Sequence, residues 1–309
     1  MGKVHRLNFP STSTKTSKVL EVIHTDLWGP SPVISRDCYC YYISFVDGFS
    51  RYTWIYPLKL KSNALEIFKI FKLQVENQFN TTIKMLQSNW RGEYRSFTDF
   101  LNQSRIIFRH SCPYTHHQNG LVERKHKHIV KIRLTLLAHY KLPFKFWWDA
   151  FHTIVYLINR LASFVLNLST PFEKVFNQNP NYNMLKSFGC TCYSYLRDYN
   201  KHKFDYHSNK CLFLDYSTSH NGYKCLHPSR KLYIARHVIF YEHTFLYSTD
   251  SVFHKLIEYV PSLSCSYSPQ QIYTLSTLPA IHTFTNNNND HLNSASPDSS
   301  GSTPSVHPE

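Results

Sequence analysis

Two carboxylic acids and one amide stand where this chain could act on phosphate. Asp26 closes a strand-like run in "VLEVIHTDLWGP", Glu123 opens a helix-like run in "QNGLVERKHKHIV", and Asn89 follows a short strand-like run in "LQSNWRGEY". Three acids converging from such positions would bind a pair of Mg²⁺ ions about 3.5 to 4 Å apart, one activating the attacking oxygen of a phosphoryl transfer and one stabilising the leaving oxygen. A hard ion of this kind takes carboxylate oxygens. Singly the residues say little: Asp26 serves equally as a cap or turn residue, and an acid at a helix start, as at Glu123, is favoured by the helix dipole alone. Only the combination is specific, and its middle position carries an amide.

Positioning those residues requires a sheet. "VLEVIHTDLWGP", "CYCYYISFVDG" and "RYTWIYPLKL" are β-branched and aromatic runs joined by short turns, which predicts an antiparallel meander. Residues 62–79 place Ala64, Phe68, Phe71, Val75 and Phe79 on one stripe behind Ser62, a candidate N-cap, predicting an amphipathic helix. A strand in "TIKMLQS", a helix over about 96 to 103, a strand in "IIFRHS", the irregular "CPYTHHQNG" and a helix over about 121 to 139 complete the order β-β-β-α-β-α-β-α. Many mixed sheets share that order, so it does not name a function. Beyond a boundary at "NQNPNYNMLK", the short runs "CLFLDYS", "GYKCLH" and "KLYIARHVIFYE" predict a compact β module over 187–246.

The charge is uneven. The chain of 309 residues carries +14, but residues 246–309 hold one Lys and five acids, leaving +18 in the rest. A folded region that basic suits a polyphosphate partner, with solubility alone as the plainer reading. The tail 262–309, rich in Asn, Ser and Pro, has too little to bury to offset ordering entropy and is expected to be disordered. No run approaches the roughly 18 apolar residues of a membrane span, and the N-terminus lacks a secretory segment. These features predict an intracellular chain without a membrane partner. The eight cysteines contain no CxxC and are read as reduced thiols.

With these blocks in view, the sequence resembles the integrase core of copia-type LTR retrotransposon polyproteins. The likeness rests on "LEVIHTDLWGPSP", "YYISFVDGFSRYTWIYPLKLKS", "VENQF", "SCPYT", "QNGLVERKHKHIV", "LTLLA", "FWWDAFHTIVYLINRL" and "PFEKVFNQNPNY", in that order. "LKSFGCTCYSYLR", "CLFLDYS" and "RHVIFYE" resemble the small SH3-like module that follows that core. The resemblance covers about residues 18 to 246. It implies an α/β fold: an RNase H-like mixed sheet flanked by helices over 18–180, then a small SH3-like β-barrel over 187–246 and the disordered tail. It also implies that 1–17 is a linker remnant after a missing zinc module, so that the chain is a polyprotein fragment. The implied activity is 3′-end trimming of element DNA and its joining to target DNA. Element ends and target DNA would be the partners, in a homo-oligomer, with Mg²⁺ as cofactor and the nucleus as the place of action.

The implied acidic triad falls on Asp26, position 89 and Glu123, and here the chain departs from the family. Where the family reads Ser-Asp-Asn-Gly-Gly-Glu, this chain has Ser88, Asn89, Trp90, Arg91, Gly92 and Glu93. The family carries a Glu at the last position alongside the Asp, so Glu93 compensates for nothing. An amide lends a metal one neutral oxygen and no charge, so Mg²⁺ binding by Asp26 and Glu123 is expected to be weakened. Arg91 replaces a Gly, His116 and His117 replace a Pro-Gln pair, and the 34-residue separation of Asn89 and Glu123 is two short of the family's. Catalysis is expected to be impaired. A non-enzymatic DNA-binding module and a decaying element fragment stay open as alternatives.

Lys127, one turn beyond Glu123 on the same face, together with Arg124, Lys125, Lys131 and Arg133, predicts a basic surface on the long helix. Phosphate contacts from that surface, with Gln118 and Asn119 at the helix start, would hold DNA near the metal site. His110, Cys112, His116, His117, His126 and His128 match no zinc spacing. No zinc site is expected, and these histidines are read as surface or DNA-facing. Trp147, Trp148, Phe151, Ile154, Val155 and Ile158 are expected to pack in a core or between subunits.

Overall fold

A computed structural model describes residues 16–89, 92–112, 119–196, 204, 206–217 and 220–249. The expected linker remnant up to residue 15, the tail from 262, and Trp90, Arg91, His116, His117 and Gln118 lie outside the described residues.

Strands β1 (Val22–Trp28), β2 (Tyr41–Asp47) and β3 (Thr53–Leu58) form the antiparallel meander. Helix α1 (Ala64–Phe79) leads to β4 (Met85–Ser88), α2 (Phe97–Gln103) leads to β5 (Ile107–His110), and both strands join in parallel, giving the order β3-β2-β1-β4-β5. This is the RNase H-like mixed sheet. One face packs on α1, whose apolar stripe buries Ala64, Ile67, Phe68, Phe71 and Val75, with Phe71 stacked on Phe45 at 4.2 Å. Each of the four larger side chains contributes roughly 1.5 to 3 kcal/mol through burial. Ser62 is not the cap of α1. It lies inside a 3₁₀ turn, Lys61–Asn63, whose last residue takes the cap position, and Asn63 Oδ1 accepts the Leu60 N–H at 3.2 Å.

The other face packs on α3 (Gly120–His139) and α4 (Trp147–Ile158). A short helix, α5 (Pro171–Phe176), starts with a Thr170–Glu173 capping box. Strands β6 (Thr191–Tyr195), β7 (Ser208–Tyr216), β8 (Tyr223–Leu226), β9 (Leu232–Ala235) and β10 (Val238–Tyr241) follow, then α6 (Leu246–Thr249). They form one antiparallel sheet, β10-β6-β7-β8-β9, and among the described residues no pairing of β9 with β10 closes the expected barrel. Each face is covered in another way. Cys192, Cys211, Phe213 and Cys225 pack in the module's own core, while Leu212, Leu214 and Leu226 join Trp147, Phe151 and Ile154 of α4 in a core shared by both modules.

A buried ion network ties the same junction. Asp215 is fully buried and accepts from His152 at 2.9 Å, Thr153 at 3.1 Å and Lys224 at 3.0 Å. Burial pushes its carboxyl up, but His152 and Lys224 outweigh that and hold it below the usual value. Cys38 is disulfide-bonded rather than reduced; the other described cysteines are free thiols. No helix among the described residues is long and apolar enough to cross a membrane.

Candidate active site

Sheet register brings the amide to the first acid. β1 and β4 run parallel with His24 beside Gln87, so two residues further on Asn89 lies beside Asp26. Helix α3 crosses this edge. Asn119, the residue before it, donates from Nδ2 to the Thr25 carbonyl at 3.1 Å and to Asn89 Oδ1 at 2.6 Å. Asn89 Nδ2 in turn donates to Asp26 Oδ1 at 3.1 Å. The chain of donors fixes both amide orientations. A carbonyl only accepts, so Asn119 must present NH₂ to Thr25 and Asn89, and Asn89 then has only its own NH₂ left for the carboxylate. Asn89 is 4% exposed, so water does not substitute for these partners.

Asp26 and Glu123 meet across a cavity of about 340 Å³, lined also by Leu27, Trp28, Gly29, Pro30, His126 and Lys127. Glu123 stands in the first turn of α3, where the helix dipole favours a carboxylate. Lys127 is one turn on and exposed, and Arg124 and Lys131 are exposed on the same helix. Lys125 is half-buried; burial, then Arg51, lowers its ammonium to about 8. Asn119, expected to face DNA, is fully buried and spends its NH₂ on Thr25 and Asn89.

One further expectation is corrected. Arg133 does not belong to the basic surface: it is 4% exposed, with its guanidinium carbon 4.6 Å from the Phe144 ring centre and 4.8 Å from that of Phe151. His126 is a half-buried wall residue, its Nδ1 hydrogen-bonded to the phenol of buried Tyr42 and its ring 5.8 Å from Trp28. Burial, followed by Arg133 and Lys127, lowers His126 to about 4, so the imidazole is neutral. In a neutral ring either nitrogen can carry the proton, so Nδ1 either accepts from the phenol or donates to its oxygen. Sequence pattern alone does not reveal the Tyr42–His126 pair. Its one signal is the position of His126 three residues beyond Glu123 on a helix.

The donor set does not fit a two-metal centre. Two carboxylates share the cavity, but the third position turns an NH₂ toward Asp26, and its oxygen is taken by Asn119. Glu93 sits in the 3₁₀ turn Gly92–Tyr94, is not part of the cavity wall, and has Oε1 buried without a partner among the described residues. Among the described residues no group of three or more His, Cys, Asp or Glu could hold a metal ion.

Residues 190–253 match the family described as "Retroviral polymerase SH3-like domain". The chain is 48% identical over 252 residues to the retrovirus-related Pol polyprotein from transposon RE2 of Arabidopsis thaliana, covering 81% of this chain and 17% of that protein. It is 42% identical over 306 residues to the corresponding polyprotein from transposon RE1 of the same plant, covering 98% of this chain and 21% of that one. The chain thus spans about a fifth of the length of these relatives. Among solved structures it is similar to the HTLV-2 integrase catalytic core domain in complex with magnesium, with a TM-score of 0.38, 17% identity and coverage of 52% of this chain and 99% of that one.

Proposed function

This chain is homologous to a segment of copia-type retrovirus-related Pol polyproteins, and on that premise we propose that it is their integrase segment, a DNA-binding protein whose own integration chemistry is lost. Its proposed partners are element ends and target DNA, held by a homo-oligomer in the nucleus. One observation carries the proposed loss: the Asn89 NH₂ donates to Asp26 Oδ1 at 3.1 Å, where a metal centre needs a third carboxylate oxygen. A Mg²⁺ ion bound between Asp26 and Glu123 would polarise a phosphate or a water. Joining two DNA strands this way takes two ions, held by more negative charge than two carboxylates supply.

What the chain's own residues provide is binding and orientation. Arg124, Lys127 and Lys131 supply exposed cations along α3 for backbone phosphates. The neutral His126, held by Tyr42, gives the cavity a polar wall without adding charge beside Lys127. The test is a strand-transfer assay on short duplexes that mimic element ends, in Mg²⁺ and in Mn²⁺, with Glu123→Gln as the blank. The chain should bind duplex and give no product. Asn89→Asp alone should recover little, because residues 90–91 and the shortened spacing remain and catalytic groups must be held to about half an ångström. Robust Mg²⁺-dependent product from the unaltered chain, abolished by Glu123→Gln, would refute the proposed loss.

A further inference from the structure

Half of one face of the second sheet is left open. Residues opposite one another in antiparallel strands share a face, and the registers align His237–Tyr195–Ser208, Ile239–Tyr193–Lys210 and Tyr241–Thr191–Leu212 across β10, β6 and β7. The Leu212 end of this face is buried against α4. Toward the other end, Tyr195 is 42% exposed and Ile239 66%, with Lys210 and His237 exposed beside them, and at the β10 edge of the Leu212 row Tyr241 is 52% exposed. The rings are grouped: Tyr193 and Tyr241 lie 5.5 Å apart at 70°. Along β6, Tyr193 and Tyr195 stand about 6.8 Å apart, two residues of strand rise.

We propose that this face is a stacking platform for the unpaired bases of single-stranded nucleic acid. The inference shares with the proposed function only the class of partner. Adjacent aromatic rings on an exposed sheet face take up splayed-out bases by stacking, since every base has a π-face. Buried in a duplex, the same bases could not reach them. Charge complementarity selects a polyanion over an acidic or neutral protein surface. Lys210 and His237 flank the rings, while the described carboxylates of the module are engaged elsewhere, Asp215 in the α4 network and Glu242 on Ser187 at 2.9 Å.

The full chain should be titrated, at a salt concentration that suppresses phosphate contacts, against a labelled single strand of about ten nucleotides and against the duplex of the same sequence. Single strand should bind in preference to duplex. Tyr193→Ala and Tyr195→Ala should each weaken single-strand binding by about 5-fold to 150-fold, while Tyr193→Phe and Tyr195→Phe retain it and duplex affinity at low salt stays unchanged. Lys127→Glu should do the reverse, so a failure of the α3 surface is distinguishable from a failure here. Tyr195 is exposed and Tyr193 half-buried, so circular dichroism of all four variants verifies the fold. Equal affinity for single strand and duplex, or alanine variants that bind single strand like the parent, would overturn the proposal. So would alanine variants that lose only self-association, which would make the face a contact between copies.

Discussion

Asn89→Asp should destabilise the metal-free protein. In the parent, Asn89 Nδ2 donates to Asp26 Oδ1 across 3.1 Å. The substitution replaces that donor with an anionic oxygen, losing a hydrogen bond to a charged group, about 1.5 to 3 kcal/mol. It also sets two carboxylates roughly 4 Å apart between charge centres, about 4 kcal/mol at an effective dielectric of 20. Protonation limits the repulsion. Holding one carboxyl neutral at pH 7 means lifting it from about 3.9 to about 7, which costs about 4 kcal/mol. Asn119 now donates to a charged oxygen and returns about 1 kcal/mol. The net expected loss is about 2 to 4 kcal/mol at pH 7, or on the order of 1 M in the urea midpoint.

The sign of the pH dependence separates this account from a simple packing defect. The folded variant keeps a proton on the carboxylate pair up to about pH 7, whereas the unfolded chain releases it near pH 4. The folded state therefore binds more protons in that window, and the penalty relative to the parent grows as pH rises from about 4 to about 7. Millimolar Mg²⁺ should relieve it, by binding the folded state between the new carboxylate and Asp26, and should move the parent much less. Urea unfolding of both proteins at about pH 5 and pH 7, with and without Mg²⁺, reads all of this. A variant as stable as the parent at pH 7, or a deficit that ignores both pH and Mg²⁺, would show that the amide does not bridge Asp26 and Asn119.

Four further outcomes are expected. Reversing charge at Lys127 and Lys131 should flatten the slope of log affinity for duplex against log salt by about two, near 0.9 for each phosphate no longer neutralised, as read by fluorescence anisotropy over a salt series. Asp215→Ala leaves His152 and Lys224 facing each other without their shared carboxylate and should cost about 3 to 5 kcal/mol. Because α4 belongs to a core common to both modules, fluorescence and far-UV dichroism should report one coincident unfolding transition. His24 and His126, each lowered to about 4 chiefly by burial, stay neutral in the fold but take up protons near 6.5 when unfolded, so they contribute stability that is lost as pH falls from about 6.5 to 4. Asp149, raised to about 6 chiefly by burial, opposes them between about 4 and 6; two histidines outweigh it, and His126→Asn should flatten the acid limb of a Tm-against-pH curve.

How much of this was legible in the sequence depended on whether a feature is set by local pattern or by what meets across space. The meander, the stripe of α1 and the placement of Asp26 and Glu123 toward element ends follow from periodicity and turn residues, and the observed strands fall inside the expected runs. The proximity of Asn89 to Asp26 follows once β1 and β4 are taken as parallel neighbours. That Asn119 would clamp the amide rather than face a ligand does not follow, because it depends on α3 crossing β1 at Thr25. Arg133 is a different case. It stands four residues from Ile129 and four from Leu137, on the buried stripe of α3, so helical spacing alone contradicted a surface role. Its charge suggested solvent, yet Phe144 and Phe151 pack the guanidinium as they would an apolar side chain. The open β10–β6–β7 face shows the same limit from the other side. Alternation along "TCYSY" marks Tyr193 and Tyr195 as facing away from the cysteines, but only α4, which covers the Leu212 end and stops, decides that Tyr195 remains in solvent and Tyr193 half-buried.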